Sequence, residues 1–188
     1  MREELTVANA DDMVALGRRL AAMLLPGDLV VLSGDLGAGK TTLVRGIGAG
    51  LGVRGPITSP TFVIARVHPS LTGGPALVHA DAYRLGSRAE VDDLDLDTDI
   101  DSSVTVVEWG EGLVEDLAPS FLEVAIAATP GAAAAAGERA GDHEPGAGAA
   151  GEDESGDEAR TVRVIGRGER WQRAAQAASA ALAAPSAG

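Results

Sequence analysis

A glycine-rich run that joins an apolar stretch to a helix-forming stretch constrains this chain more than any other feature. Residues 34–41 read GDLGAGKT and satisfy the pattern G-x-x-x-x-G-K-[S/T]. The apolar residues 29–32 before it are typical of a strand buried on both faces, and residues 40–50 after it favour a helix. Because the pattern lies between a strand and a helix, it predicts a loop that wraps around a phosphate group.

Each residue type in this run has a task in phosphate binding. The glycines let the backbone approach an anion closely, so that successive N–H groups and the positive end of the helix face the same phosphates. Lys40 supplies a positive charge between the β- and γ-phosphates, and the Thr41 hydroxyl is a hard oxygen ligand suited to Mg²⁺. The competing interpretation, a glycine-rich turn with an exposed lysine, is disfavoured by the strand and helix on either side.

Two acidic residues directly follow predicted strands. Asp81 comes after the run LVHA at 77–80, and Glu108 comes after VTVV at 104–107. Since ligands bind at the carboxyl ends of strands in open α/β sheets, both carboxylates are candidates to face the phosphates, to hold Mg²⁺ or to orient a water molecule. The competing interpretation is that each is only the first solvated residue after a strand.

A third candidate element is the loop TSPTF at residues 58–62, which places hydroxyl groups beside a stiffening proline. Such a loop is a candidate switch segment that senses the γ-phosphate through Mg²⁺. An ordinary turn before a strand explains the same residues equally well.

Short apolar runs alternate with stretches of helical period over most of the chain, which is typical of an α/β fold. The length of 188 residues predicts one domain spanning residues 1–188. Asn9 is a candidate cap for a first helix, which Pro26 and Gly27 end. The predicted strands are 4–8, 29–32, 62–67, 77–80, 104–107, 121–127 and 161–165, and the later predicted helices are 40–50, 88–94, 112–117 and 170–184.

Residues 130–160 interrupt this pattern with an acidic segment that is rich in Ala and Gly. The segment contains no Val, Ile, Leu, Met or aromatic residue, and its two Arg and eight Asp or Glu give a net charge of −6. Because it has almost no apolar surface to offset the entropy of ordering, we predict a disordered insertion within the single domain. It separates two predicted strands that are candidates to pair as a hairpin, and we interpret it as a solubilising spacer.

Composition excludes several functional classes. The formal net charge of −13 disfavours direct binding to nucleic acid, because the surface would repel phosphate backbones. The absence of cysteine excludes disulfides, thiol catalysis and cysteine-containing zinc sites, and it agrees with a reducing compartment. The first residues lack the apolar core of a secretory signal, and no apolar stretch approaches the ~18 residues that a membrane span needs. We therefore expect a soluble, cytoplasmic protein without a membrane association.

The run GDLGAGKTTL, followed in order by ITSPTF, HADAYRL, VEWGE and RVIGRGERW, resembles the bacterial TsaE (YjeE) family over about residues 5–128 and 160–175. The resemblance implies a three-layer P-loop NTPase-like α/β fold with a mixed central sheet. It also implies a Mg²⁺-dependent ATPase that serves threonylcarbamoyladenosine synthesis in tRNA and is active only with partner proteins. The implied partners are TsaD-like and TsaB-like proteins, and tRNA is expected to be contacted only through them.

The resemblance also assigns roles to individual residues. Thr41 with Asp81 or Glu108 would hold Mg²⁺, and Glu108 is alternatively the residue that polarises the attacking water. Thr61 would be the switch hydroxyl, and Trp109 would lie near the nucleotide or a partner, unless it closes the core at a strand end. The residues implied to bind the ATP phosphates are those of the run 34–42, among them Gly34, Gly37, Ala38, Gly39, Lys40, Thr41 and Thr42.

Two features depart from the family pattern. Met13 stands in the first helix where the family often has Thr, which removes a polar contact to the nucleotide base, and the acidic insertion is not part of the usual pattern.

Three other functions fit a phosphate-binding loop. A small-molecule kinase would need a lid with cationic side chains, whereas the long unassigned segment here is acidic. A GTPase would carry an N-K-x-D or T-K-x-D run to read guanine, and this sequence has none, so adenine is favoured. The third alternative is a non-catalytic module that senses a nucleotide, in which Glu108 would be structural.

For the ATPase, our hypothesis is that MgATP orders residues 58–62 and fixes docking on a partner, and that hydrolysis releases the partner.

Overall fold

A mixed β-sheet forms the centre of the fold, which is known from a computed structural model. The structure describes residues 1–60, 64–85, 87–92, 100–129 and 159–183, and every structural statement below concerns these residues. The strands are β1 (Arg2–Val7), β2 (Leu29–Ser33), β3 (Ala65–His68), β4 (Ala76–Asp81), β5 (Ser103–Glu108), β6 (Phe121–Ala128) and β7 (Arg160–Arg167).

The strand order places the candidate carboxylates beside the glycine-rich run. The seven strands lie in the order β1-β7-β6-β2-β5-β4-β3. Strands β6, β2, β5 and β4 pair in parallel, whereas β1, β7 and β3 join them in antiparallel pairs. Because the carboxyl ends of parallel strands meet at one edge, Asp81 at the end of β4 and Glu108 at the end of β5 are direct neighbours. The predicted mixed central sheet is confirmed.

Helices cover both faces of the sheet unequally. The long helices α1 (Ala10–Ala21) and α2 (Lys40–Leu51) pack on one face over a core that includes Leu16, Leu43 and Ile47. The other face is covered by the short helix α3 (Arg88–Asp92) and two 3-10 turns, at Ile100–Ser102 and Glu115–Leu117. The helices α4 (Gly168–Arg173) and α5 (Ala175–Ala183) complete the described chain. The predicted α/β class and its three layers are therefore confirmed, with one helical layer much thinner than the other.

Several predicted element boundaries change in the structure. The predicted helix over 112–117 is only the 3-10 turn Glu115–Leu117, because the Glu115 carboxylate accepts hydrogen bonds from the N–H groups of Gly112 and Val114 (2.6 and 3.1 Å). The predicted terminal helix is divided into α4 and α5 at Ala174. None of the helices in the described ranges is long and apolar enough to cross a lipid bilayer.

The predicted insertion lies between β6 and β7. Arg160, its last predicted residue, is already the first residue of β7 and pairs with Ala128 of β6, so the insertion ends earlier than predicted. Thr129 N–H donates to the Ala159 carbonyl oxygen at 3.1 Å, which continues the pairing at this end of the hairpin. Residues 130–158 lie outside the described residues, so the prediction of disorder stays a prediction.

Close contact between the backbones of α1 and α2 positions the start of α2. A Cβ atom added to Gly17 would lie 2.4 Å from the Leu43 carbonyl oxygen, and one added to Gly46 would lie 2.3 Å from the Val14 carbonyl oxygen. Both distances are far shorter than atoms tolerate, so only glycine allows the helices to approach this closely. Since α2 begins at Lys40, this packing also places the residues of the glycine-rich run.

We predict that Gly46→Ala destabilises the fold by about 1–3 kcal/mol, because the added methyl group forces the two helices apart. Gly74→Ala is the matched control, since the nearest heavy atoms to its added Cβ are 3.8 Å away. Urea denaturation followed by circular dichroism measures both variants. Equal midpoints for Gly46→Ala, Gly74→Ala and the unmodified chain would contradict the close packing.

Candidate functional site

The glycine-rich run forms the connection between β2 and α2, as predicted. Gly34 has a φ of 142°, and a Cβ there would lie 2.4 Å from the Ile126 carbonyl oxygen. Gly39, which caps α2, has a φ of 103°, a value that residues other than glycine rarely adopt. The loop therefore requires glycine at both positions, and it directs the first turn of α2 toward the carboxyl ends of the parallel strands.

Lys40 is held inside this loop. Its side chain is only 5% exposed, and Nζ donates to the carbonyl oxygens of Gly34 and Asp35 at 2.7 and 2.9 Å. Nζ also lies 3.9 Å from the centroid of the Trp109 ring, within the range of a cation–π contact. Lys40 is the sole lysine of the sequence. The ammonium group thus lies at the centre of the loop, and its hydrogen bonds within the described chain go to neutral carbonyl oxygens.

Burial and nearby charges act on Lys40 in opposite directions. Burial lowers the pKa of the Lys40 amine, and the negative charges of Glu108, Asp81 and Asp35 counteract the decrease, in that order of size. The site therefore favours an additional negative group next to Lys40, because such a group would stabilise the buried ammonium.

Glu108 links the sheet to α2. Its side chain is buried, and its Oε1 accepts a hydrogen bond from the Thr41 hydroxyl at 3.0 Å. The same Oε1 lies 2.9 Å from Nε2 of His79 on β4. Asp81 is also buried, and its Oδ1 accepts from the N–H of Tyr83 at 2.9 Å. The two carboxylates at the sheet edge are therefore held by hydrogen bonds from three different segments.

An open cavity of about 210 Å³ lies at this edge of the sheet, lined by the loop, the start of α2 and the ends of β4 and β5. Among the residues predicted from the sequence, Gly34 and Ala38 shape the loop but do not line the cavity, and Thr61 lies outside the described residues. Ser59 of the proposed switch loop does line it. The lining residues are Leu36, Gly37, Gly39, Lys40, Thr41, Thr42, Ser59, Asp81, Glu108 and Trp109.

Trp109 lies at the wall of the cavity and belongs to neither of the two cores. Its φ of 60° is in the left-handed region, which is a strained conformation for an aromatic residue. Its backbone N–H donates to the Leu32 carbonyl oxygen at 2.8 Å, and its ring centroid lies 5.2 Å from that of Tyr83. The strained backbone turns the indole out of the strand direction and over Lys40.

The structure places His79 and Met13 in contacts at the site that the sequence does not predict. The sequence alone assigns no role to His79 in the run HADAYRL, although the two-residue period of a strand places it on the same face as Asp81. Met13, the departure from the family pattern, packs at the loop, since its Cε lies 3.5 Å from where a Cβ on Gly39 would be. The period of β4 was the available signal for His79, but its contact with Glu108 depends on strand pairing that the sequence does not show.

The oxygen atoms of the site suit a hard cation that is only partly coordinated by the protein. Thr41, Asp81 and Glu108 offer one hydroxyl and two carboxylates, the ligand types that Mg²⁺ prefers. Within the described residues, no group of three or more His, Asp or Glu side chains converges to hold a metal unaided. A cation at this site therefore needs further oxygens, which water molecules and a bound phosphate chain supply in Mg²⁺ sites of this kind.

Comparisons with known proteins identify the family. The family model described as "Threonylcarbamoyl adenosine biosynthesis protein TsaE" matches residues 7–135. The chain is 56% identical over 160 residues to the tRNA threonylcarbamoyladenosine biosynthesis protein TsaE of Streptomyces coelicolor. This alignment covers 85% of this chain and 93% of the relative. It is 36% identical over 137 residues to the protein of the same name from Bacillus subtilis, covering 72% of this chain and 77% of that protein.

A solved structure agrees with this result. The crystal structure of Bacillus subtilis YdiB is similar with a TM-score of 0.64 and 26% sequence identity, over 96% of this chain and 95% of YdiB. The family model covers well over half of the chain. The chain therefore belongs to the TsaE family.

Proposed function

We propose that this chain binds ATP together with Mg²⁺ and hydrolyses the ATP in the service of threonylcarbamoyladenosine synthesis in tRNA. The observation that carries the proposal is the convergence of Lys40, Thr41, Asp81 and Glu108 on one cavity beside the glycine-rich loop. The names of the relatives from Streptomyces coelicolor and Bacillus subtilis support the pathway.

The phosphate chain of ATP fits the loop for electrostatic reasons. Lys40 now donates to the carbonyl oxygens of Gly34 and Asp35, and a phosphate oxygen is a stronger acceptor than either because it is charged. Backbone N–H groups at the start of α2 face the same region, and the helix dipole adds to the attraction. ATP would therefore be held by the loop amides and by the Lys40 ammonium.

Thr41 and the two carboxylates would hold Mg²⁺ next to the phosphates. When bound, Mg²⁺ neutralises the charge that develops on the phosphate oxygens. The Thr41 hydroxyl donates a hydrogen bond to Glu108, so its oxygen lone pairs are available to a cation. Glu108 has two possible tasks in this arrangement: it coordinates the cation, or it accepts a hydrogen bond from the attacking water and orients that molecule.

We infer that turnover depends on partner proteins. The partners in this proposal are TsaD-like and TsaB-like proteins, and the net charge of −13 favours contact with tRNA through them rather than directly. Ser59 lines the cavity, which supports a role for residues 58–62 in sensing the bound nucleotide. In this proposal Thr61 is the switch hydroxyl of the same segment. Phosphate release measured with and without the partner proteins and tRNA tests this dependence.

Replacing Lys40 by Ala is expected to abolish measurable binding of MgATP, because the loop loses the buried ammonium that faces the phosphates. Isothermal titration calorimetry with excess Mg²⁺ measures the affinity. Arg173→Ala is the control, since it removes one positive charge from an exposed surface pair with Glu169 and leaves the loop intact. Unchanged ATP affinity in the Lys40 variant would contradict the assigned phosphate site.

Replacing Glu108 by Gln is expected to lower kcat about 10²–10⁴-fold, because an amide is a poor base and a poor Mg²⁺ ligand. MgATP is expected still to bind, because Lys40, the loop amides and the oxygens of Thr41 and Asp81 remain. Glu111→Gln provides a matched control: Glu111 is exposed and lies three positions further along the chain. The assay is phosphate release in the presence of partner proteins and tRNA. If the Glu108 variant turned over as fast as the Glu111 variant, the catalytic role of Glu108 would be excluded.

A further inference from the structure

His79, which has no role in the proposed function, lies on β4 with its ring buried next to Glu108. His79 is fully buried, and its Nε2 lies 2.9 Å from Oε1 of Glu108. Its other nitrogen, Nδ1, is also buried and has no hydrogen-bond partner within the described part of the chain. A buried ring nitrogen without a partner costs stability, so packing alone favours an apolar residue at this position.

The contact determines which nitrogen of His79 carries the proton. An ionised carboxylate only accepts hydrogen bonds, so Nε2 must be the donor in the contact with Glu108. Nδ1 lies on the other side of the ring and takes no part in this contact. A ring that carried its proton on Nδ1 alone would leave a buried N–H group without an acceptor among the described residues and would present a bare nitrogen to Glu108.

Strand geometry explains how the ring reaches the carboxylate. His79 and Asp81 lie on the same face of β4, and in the parallel pairing Asp81 is opposite Glu108 while His79 is opposite Val106. His79 therefore approaches Glu108 from the sheet interior, whereas Thr41 approaches it from α2. Both hydrogen bonds go to Oε1. Two donors on separate elements thus restrict rotation of the Glu108 carboxylate, which lines the cavity.

We propose that His79 is a positioning residue for Glu108. Its Nε2–H group holds the carboxylate in one orientation at the cavity, whether or not the Thr41 hydroxyl continues to donate to it. This inference rests on the proposed ATPase function and adds a residue to it. Residues that orient a functional carboxylate from behind raise its efficiency without touching the substrate.

Three variants test the role of the donor. His79→Gln keeps an amide N–H near the position of Nε2, whereas the shorter His79→Asn places its N–H near the position of Nδ1, away from Glu108. Thr105→Val is the control, because Thr105 is fully buried on β5 and its hydroxyl has no partner among the described residues. The measurements are phosphate release with partner proteins and tRNA, and the affinity for MgATP by calorimetry.

We expect His79→Asn to lower kcat about 10–100-fold, with KM and the Kd for MgATP changed by less than about threefold. His79→Gln is expected to recover most of the lost kcat, and Thr105→Val to match the unmodified chain. If His79→Gln and His79→Asn lost kcat equally, or if neither lost any, the donor would not matter and the proposal would be overturned.

A second measurement needs neither ATP nor turnover. The ¹⁵N resonances of the imidazole rings in the nucleotide-free protein report which nitrogen of each ring carries a proton, and the signals that disappear in His79→Gln belong to His79. We expect a proton on Nε2, the nitrogen that contacts Glu108. A proton on Nδ1 alone would contradict the inference, because Glu108 would then face a bare nitrogen.

The assays of ATP binding and hydrolysis, taken together with the ¹⁵N resonances, separate this inference from the proposed function. If the unmodified chain bound no ATP with its partners present, the ATPase proposal would fail even though the ring proton lay on Nε2. If the unmodified chain hydrolysed ATP and His79→Asn hydrolysed it equally fast, the ATPase proposal would stand and the role of His79 would be excluded.

Discussion

The hydrogen bond from Thr41 to Glu108 connects the two halves of the candidate site. Thr41 belongs to the helix that follows the glycine-rich loop, and Glu108 ends the strand next to β2, so this bond of 3.0 Å joins loop and sheet edge directly. It depends on the register of β5 against β2 and on the backbone contact between α1 and α2 at Gly17 and Gly46. If either changed, the hydroxyl and the carboxylate would no longer meet.

Charge balance around Lys40 gives this geometry a chemical purpose. The ammonium is buried, its pKa is lowered by that burial, and its direct hydrogen bonds go to neutral carbonyl oxygens. The carboxylates of Asp81 and Glu108 also stabilise the ammonium by longer-range electrostatic attraction. A hard cation between these carboxylates and a phosphate chain would offset the repulsion among the negative groups. The same arrangement accounts for the strained Trp109, whose ring covers the ammonium on one side.

Local sequence signals predicted much of this fold, and tertiary contacts account for what they missed. The cap at Asn9, the strand before the glycine-rich loop and the positions of Asp81 and Glu108 followed from residue type and period, because neighbouring residues determine them. The turn at Glu115–Leu117 differed because one side chain competes for the local N–H groups. The role of His79 depends on the pairing of β4 with β5, since strand order is a property of the whole sheet.

The presence of a sole lysine allows a direct test of ATP binding at the loop. An amine-reactive acetylating reagent can modify only Lys40 and the N-terminal amine of Met1, and mass spectrometry follows the two sites separately. We predict that saturating MgATP slows the acetylation of Lys40 at least tenfold, because phosphate oxygens engage its ammonium, while the rate at Met1 stays the same. An equal rate of Lys40 acetylation with and without MgATP, in the presence of the partner proteins, would contradict nucleotide binding at this loop.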